Sequence, residues 1–397
     1  MAYVYNQAMT LTCKTAGESH GPCGLAIIEG LPAGLTLDID FFNHELKRRQ
    51  GGYGRGGRQA IETDRAEFLT GVRGGTTTGA PLTVQVVNKD SRLNDADKTP
   101  PVHRPRPGHA DLAGAVKWQT NDCRNTLERA SARETAARTA AGAISRCLLR
   151  AFDIRVFGYV KGMLDVVAPV EPNRQSLDQL ISQREDSAVY CPDEATCKAI
   201  IAHIKQAKID KDTVGGLCET VVFGCPPGLG SCASWQEKLD ARIAYAVMGI
   251  QAFKAVEIGI GSECGKRTGS NVHDPIQYDA SQANQSHFGF TRPRNNAGGI
   301  EGGMTNGMPV VIKGTMKPIS TLLQGMDSVD LCTGQNERSD YERSDVCALP
   351  AASVVMENVV AFEIASAFLT SFSGTTMDMV RASFDAYAIR ARNIIQS

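Results

Sequence analysis

The sequence predicts an α+β protein built from a duplicated unit, with two mainly antiparallel sheets around shared central helices. Three observations carry this expectation. GLAIIEGLPAGL (24–35) and ETVVFGCPPGL (219–229) each run from apolar residues into the pattern G-x-P-x-G-L. GGTTTGAPLTV (74–84) and GGMTNGMPVVI (302–312) share G-G-x-T-x-G-x-P followed by β-branched residues, in the same order in both halves. Two long helical stretches, 127–149 and 353–369, are apolar on most faces, and such helices belong inside a large protein. Two copies of a sheet-forming unit around such helices give two sheets over one interior.

Each half repeats one order of elements. After the apolar strand and its Gly/Pro turn, the first half continues with the helix-like DFFNHELKRR (40–49) and the strand-like EFLTGV (67–72). The second half continues with SWQEKLDARIAYAVMGI (234–250), which opens on a capping-box pattern from Ser234 to Glu237, and then AVEIGIG (255–261). The helix LERASARETAARTAAGAISRCLL (127–149) is rich in alanine, so a neighbour can approach closely. It also carries Arg129, Arg133 and Arg138, which must reach water, a carboxylate or a bound anion. No Pro/Ser-rich linker or low-complexity block interrupts the chain. We expect one unit over residues 1–397, with repeat halves at about 10–120 and 210–345.

Composition excludes several classes. Basic and acidic residues nearly cancel, 42 against 43, whereas a nucleic-acid binder usually carries a clear positive excess. The 12 cysteines are scattered, without C-x-x-C or zinc-ligand spacing, and read as reduced thiols of a cytoplasmic protein. The stretch MAYVYNQAMTLTC lacks the pattern of a signal peptide, and no membrane partner is expected.

Positive charge is local instead. RRQGGYGRGGR (48–58) places arginines among glycines, and backbone amides with guanidinium forks bind planar, multi-oxygen anions. GYGRGG (52–57) follows a helix-like segment and not a strand, which argues against a dinucleotide fingerprint. An Arg/Gly-loop nucleic-acid-binding protein stays as an alternative, although Tyr53 is the only aromatic in the stretch. GESHG (17–21) matches the G-x-S-x-G of serine hydrolases, but a strand-like run follows where that turn requires a helix. His20 within it reads as an acid or a phosphate ligand, because histidine titrates near neutral pH. HRPRPGHADL (103–112) presents Arg106 and His109 on a proline-stiffened backbone. GSECGKRTGS (261–270) fails as a phosphate loop because Arg267 stands where a hydroxyl is needed.

GESHG, RRQGGYGRGGR, RPGHADL, RASARET, RPRNNAGGIEGGMTNG, KPIST and RSD occur in this order. Together they closely resemble the chorismate synthase family, from about residue 10 to about 390. The resemblance implies a homotetramer with a β-α-β sandwich fold. It implies conversion of 5-enolpyruvylshikimate 3-phosphate to chorismate by anti-1,4-elimination, with reduced FMN as cofactor and NADPH as a candidate reductant. Matched position by position, it implies His20, His109 and Asp345 as catalytic residues. It implies Arg49, Arg55, Arg58, Arg106, Arg133 and Arg138 as substrate ligands. The flavin contacts it implies are Arg129, Ala130, Ser131, Gln251, Ala252, Gly302, Lys317, Pro318, Ile319, Ser320, Thr321 and Arg343. Ala130 stands where relatives often carry serine, and Ser320 where they often carry proline or another small residue.

Overall fold

A computed structural model describes residues 10–56, 62–339 and 345–395. In chain order the principal elements begin with β1 (Thr12–Ala16), β2 (Cys23–Glu29), α1 (Ile39–Gln50), β3 (Ala66–Thr70) and β4 (Leu82–Val87). Next come α2 (Asp111–Lys117), α3 (Arg124–Ala130), α4 (Thr135–Arg150), β5 (Arg155–Met163) and β6 (Val166–Val167). Then follow α5 (Leu177–Asp186), α6 (Glu194–Ile209), β7 (Gly216–Phe223), α7 (Leu239–Met248), β8 (Phe253–Ile258), β9 (Val310–Met316), α8 (Leu349–Ser371) and α9 (Met377–Arg392).

The first sheet has the order β1-β2-β4-β3 and the second β8-β9-β7-β5-β6, with every pair antiparallel. Taking β5, β7, β8 and β9 as first to fourth, both sheets follow the order first-second-fourth-third. In each, a helix follows the second strand (α1, α7), a two-residue hairpin lies between the third and fourth, and a long helix comes later (α4, α8).

The two halves of each echo bind one another in the same way. Thr77 Oγ1 donates to the Pro32 carbonyl at 2.7 Å and accepts from Leu35 N at 2.9 Å. Thr305 Oγ1 donates to the Pro226 carbonyl at 2.6 Å and accepts from Leu229 N at 2.9 Å. Both threonines are buried, so each hydroxyl satisfies a donor and an acceptor that water cannot reach. The shared G-G-x-T and G-x-P-x-G-L patterns are the two sides of this contact.

The helices α4 and α8 lie between the sheets, α4 on the first and α8 on the second, and pack on each other. One apolar cluster runs through both sheets and both helices. Gly142 permits the helix contact: a Cβ there would meet the Asn358 carbonyl oxygen at 2.3 Å. The stretch 127–149 is not one helix. It breaks at Ser131, whose backbone is extended and whose hydroxyl caps Arg133 N, and α4 begins four residues later. Similarly, the helix expected from Ser234 begins at Leu239, after a single 3₁₀ turn, because Ser234 makes no side-chain cap. Its hydroxyl bonds Gln236 instead.

The interior holds charges that helical patterning did not reveal. Glu357, in the middle of the apolar α8, is fully buried. It meets Arg48 at 2.9 Å, Arg146 at 3.0 Å and Arg184 at 3.2 Å. Glu45 takes Arg48 at 2.8 Å and Arg146 at 2.6 Å, and accepts from Asn358 at 2.9 Å. These contacts tie α1, α4, α5 and α8 together. Burial would raise the Glu45 pKa, but Arg146, Arg48 and Arg184 drive it well below the usual carboxylate range.

Candidate active site

His20 sits on the turn between β1 and β2, held from below by the end of α3. Its Nδ1 is 2.9 Å from Glu128 Oε1, and its backbone N–H donates to Glu128 Oε2 at 2.9 Å. Ser19 N donates to the Glu128 carbonyl at 3.1 Å, and Ser131 Oγ lies 3.2 Å from Ser19 Oγ. His20 is 8% exposed, so it is not a surface turn histidine. Because β2 and not a helix follows this turn, the geometry of a hydrolase nucleophile elbow is not formed.

Asn88, just past β4, joins this turn to the arginines. Its amide donates to the Gly21 carbonyl at 2.8 Å and the Glu18 carbonyl at 3.2 Å, while its Oδ1 accepts from Arg133 Nε at 2.6 Å. Arg133 Nη1 continues to Asp64 at 2.6 and 2.8 Å. The other face of Asp64 takes Arg49 Nη2 at 2.6 Å. Arg49 lies in the last turn of α1 and is 3% exposed. Burial lowers the Arg49 pKa, the Arg133 and Arg55 charges act in the same direction, and Asp64 opposes them. Arg55 pairs with Asp345 at 2.6 Å, and the same carboxylate accepts from Gly56 N at 2.6 Å. His20, Arg49, Arg133, Arg55 and Asp345 therefore share one region, reached from four chain segments.

A second group forms around Asp111 at the start of α2. Arg106 Nε lies 2.8 Å from Asp111 Oδ2, and His109 Nδ1 bonds Asp111 Oδ1. Arg106 Nη1 also donates to Thr321 Oγ1 at 3.1 Å. Burial would raise the Asp111 pKa, yet the hydrogen bonds from His109 and Arg106 and their charges bring it far below the usual range. This draws the KPIST segment to the proline-stiffened loop. A Cβ on Gly108 would lie 3.6 Å from Ser320 Cβ and 3.7 Å from Lys317 Nζ.

The remaining residues join the two halves. Glu134, one position after Arg133, accepts from Thr15 on β1, from Arg138 Nε at 3.1 Å and from Gln251 Nε2 at 3.2 Å. Ala252 has φ +70° and its carbonyl accepts from Lys317 N at 2.9 Å. Burial and the neighbouring Lys254 lower the Lys317 pKa. The Ile319 carbonyl accepts from Thr213 Oγ1 at 2.7 Å, while Pro318 is exposed. Arg129 is exposed and bonds the Gly17 and Thr15 carbonyls at 3.0 and 3.2 Å, with Ala130 beside it at the end of α3. Gly302 stands apart, exposed at the turn of the Ile300–Thr305 hairpin. Arg58 and Arg343 lie outside the described residues.

Sequence reasoning missed the carboxylates. Asp64, Asp111, Glu128 and Glu134 each hold an arginine or histidine, and none stood out by residue type. Asp111 in GHADL and Glu134 in ARET lie inside motifs already singled out, which is the signal that could have found them.

The chorismate synthase family model matches residues 11–369. The chorismate synthase of Geobacter metallireducens is 50% identical over 387 residues, covering 94% of this chain and 97% of that one. The chorismate synthase of Desulforamulus reducens is 47% identical over 389 residues, covering 96% and 99%. A crystal structure of a chorismate synthase superposes with a TM-score of 0.78 at 36% identity, covering 98% of this chain and all of that one. With family model, full-length relatives and fold in agreement, the chain belongs to the chorismate synthase family of lyases.

Proposed function

We propose that this protein converts 5-enolpyruvylshikimate 3-phosphate to chorismate and phosphate by anti-1,4-elimination with reduced FMN. The observation that carries the reading is the continuous chain Arg49–Asp64–Arg133–Asn88 leading to the His20 turn. It supports a site for an anion with several oxygens beside a histidine. Two carboxylates and a phosphate on the substrate match guanidiniums at Arg49, Arg55, Arg133 and Arg106, with Arg138 and Arg58 completing the set. Each charge-assisted contact contributes about 1.5–3 kcal/mol. Together they fix the allylic C–O bond for cleavage.

In this reading His20 gives a proton or a charged hydrogen bond to the departing phosphate, which is a poor leaving group as a dianion. Asp345, held by Arg55 and the Gly56 amide, assists removal of the ring proton. His109, fixed by Asp111, stands at the cofactor side.

Reduced FMN, when bound, supplies electron density to the substrate as phosphate departs. The residues present fit it: among the described residues Gln251 Oε1 is buried without a hydrogen-bond partner, and Lys317 is a half-buried ammonium with no carboxylate paired to it. Arg129, Ala130, Ser131, Gln251, Ala252, Gly302, Arg343 and Lys317 through Thr321 would hold it, with NADPH as its candidate reductant. We take the working form as a cytoplasmic homotetramer of single-unit chains, with no nucleic-acid or membrane partner.

The test is anaerobic turnover of 5-enolpyruvylshikimate 3-phosphate with chemically reduced FMN, followed by chorismate absorbance and phosphate release. Absence of both products with flavin bound would refute the reading. Aerobic turnover with NADPH and oxidised FMN separates a self-reducing enzyme from one that needs an outside reductase.

A further inference from the structure

The imidazole of His20 is gripped on both edges. Glu128, 1% exposed, places Oε1 and Oε2 at 2.9 and 3.0 Å from Nδ1 and bonds the backbone N–H of the same residue. On the opposite edge, Arg92 Nη2 lies 3.3 Å from Nε2 and Asp90 Oδ2 lies 3.7 Å from it. The Asp90–Arg92 segment is itself tied to the turn, because Arg92 N and Leu93 N donate to the His20 carbonyl at 2.9 and 3.0 Å. Arg92 is further held by Asp90 at 3.2 Å and the Lys98 carbonyl at 3.2 Å.

A guanidinium only donates and an ionised carboxylate only accepts. A neutral ring between them satisfies both neighbours in one tautomer, with the proton on Nδ1 and the lone pair on Nε2. The reverse tautomer would set a lone pair against the Glu128 carboxylate and an N–H against Arg92.

We infer that Glu128 is a positioning residue that fixes His20 as the Nδ1–H tautomer and so reserves Nε2 for proton exchange with the leaving group. The inference rests on the role given to His20 under the proposed function. Among the described residues, the charged groups facing the ring include Glu128 and, behind it at 3.5 Å, Arg124 from α3, with Asp90 and Arg92 from the loop after β4. Arg133 follows one residue further out, through Asn88. An arriving phosphate dianion would place negative charge beside Nε2, and a nearby negative charge favours a proton there. As the C–O bond breaks, its electron pair leaves with phosphate. The Nε2–H bond breaks as a phosphate O–H forms, and the ring returns to the neutral Nδ1–H form. Glu128 stays ionised throughout, and Arg92 is placed to receive the same phosphate.

The first test reads the native protein. Full-length protein labelled with ¹⁵N-histidine, with the His20 signals assigned by their loss in His20→Asn, is observed above the imidazole titration. The expected spectrum has a protonated Nδ1 and an unprotonated Nε2; a protonated Nε2 overturns the inference. The second test is Glu128→Gln. Turnover should fall by ~10²–10⁴-fold with KM changed only a few-fold, as for loss of tautomer control. The alkaline limb of the kcat profile should move to lower pH, because loss of the carboxylate weakens the protonated ring. Glu128→Asp should recover part of both. An alkaline limb that stays in place in Glu128→Gln means a structural role only and overturns the inference. Wild-type turnover in His20→Ala with the expected spectrum would instead remove His20 from the reaction, leaving the tautomer assignment standing and its catalytic purpose void.

Discussion

Arg49 and Arg133 meet on a single carboxylate: Asp64 Oδ2 lies 2.6 Å from Arg49 Nη2 and 2.8 Å from Arg133 Nη1. Glu62, 3.8 Å from Arg133 Nη2, gives Arg133 a second carboxylate, whereas Arg49 has Asp64 as its one acidic partner among the described residues. Asp64→Asn would leave Arg49 without its carboxylate and Arg133 with only the more distant Glu62, at a cost on the order of 3–5 kcal/mol. We expect a lower Tm for the variant, and a larger gain from added inorganic phosphate than wild type shows. Thermal unfolding with and without phosphate checks this; equal gains would mean that the pair is purely structural.

The histidines should separate chemistry from binding. His20→Ala and His109→Ala are each expected to slow turnover by ~10²–10⁴-fold while FMN still binds. Anaerobic steady-state rates and flavin fluorescence titration report the two quantities separately. A wild-type rate in either variant takes that residue out of the mechanism.

Asp111 should leave a pH signature. Its folded pKa lies below the unfolded value of about 3.9, so its contribution is full above that value and is lost as pH falls toward the folded pKa. Asp111→Asn should therefore lower Tm at pH 7, and the gap to wild type should narrow as pH drops from about 5 toward 3. A gap independent of pH would show that the cost is one of packing and not of charge.

The duplicated threonine contact should be equally important in both halves. Thr77→Val and Thr305→Val keep the shape but strand a proline carbonyl and a leucine amide. We expect each to destabilise the protein by about 1–3 kcal/mol per buried group left unpaired. Denaturant titration of the two variants checks this, and a loss confined to one half would contradict the equivalence.

The sequence by itself determined the units of this fold. The echoes at 24–35 and 219–229 became β2 and β7 with their turns, and those at 74–84 and 302–312 became the hairpins leading to β4 and β9. The apolar run at 353–369 became the buried centre of α8. These features are legible because strand, turn and helix preferences are set by residues within a few positions of one another.

Tertiary structure alone decided the partners. The first strand of the second sheet, RVFGYVKGM, lies outside both echoes and was found only through its pairing with β7. Glu128 reaches His20 across 108 positions, Arg133 reaches Asp64 across 69, and Arg48 reaches Glu357 across 309. A charge in the chain shows no preference for one distant opposite charge over another. Burial makes that choice, by bringing particular side chains within about 3 Å and removing the water that would otherwise satisfy them.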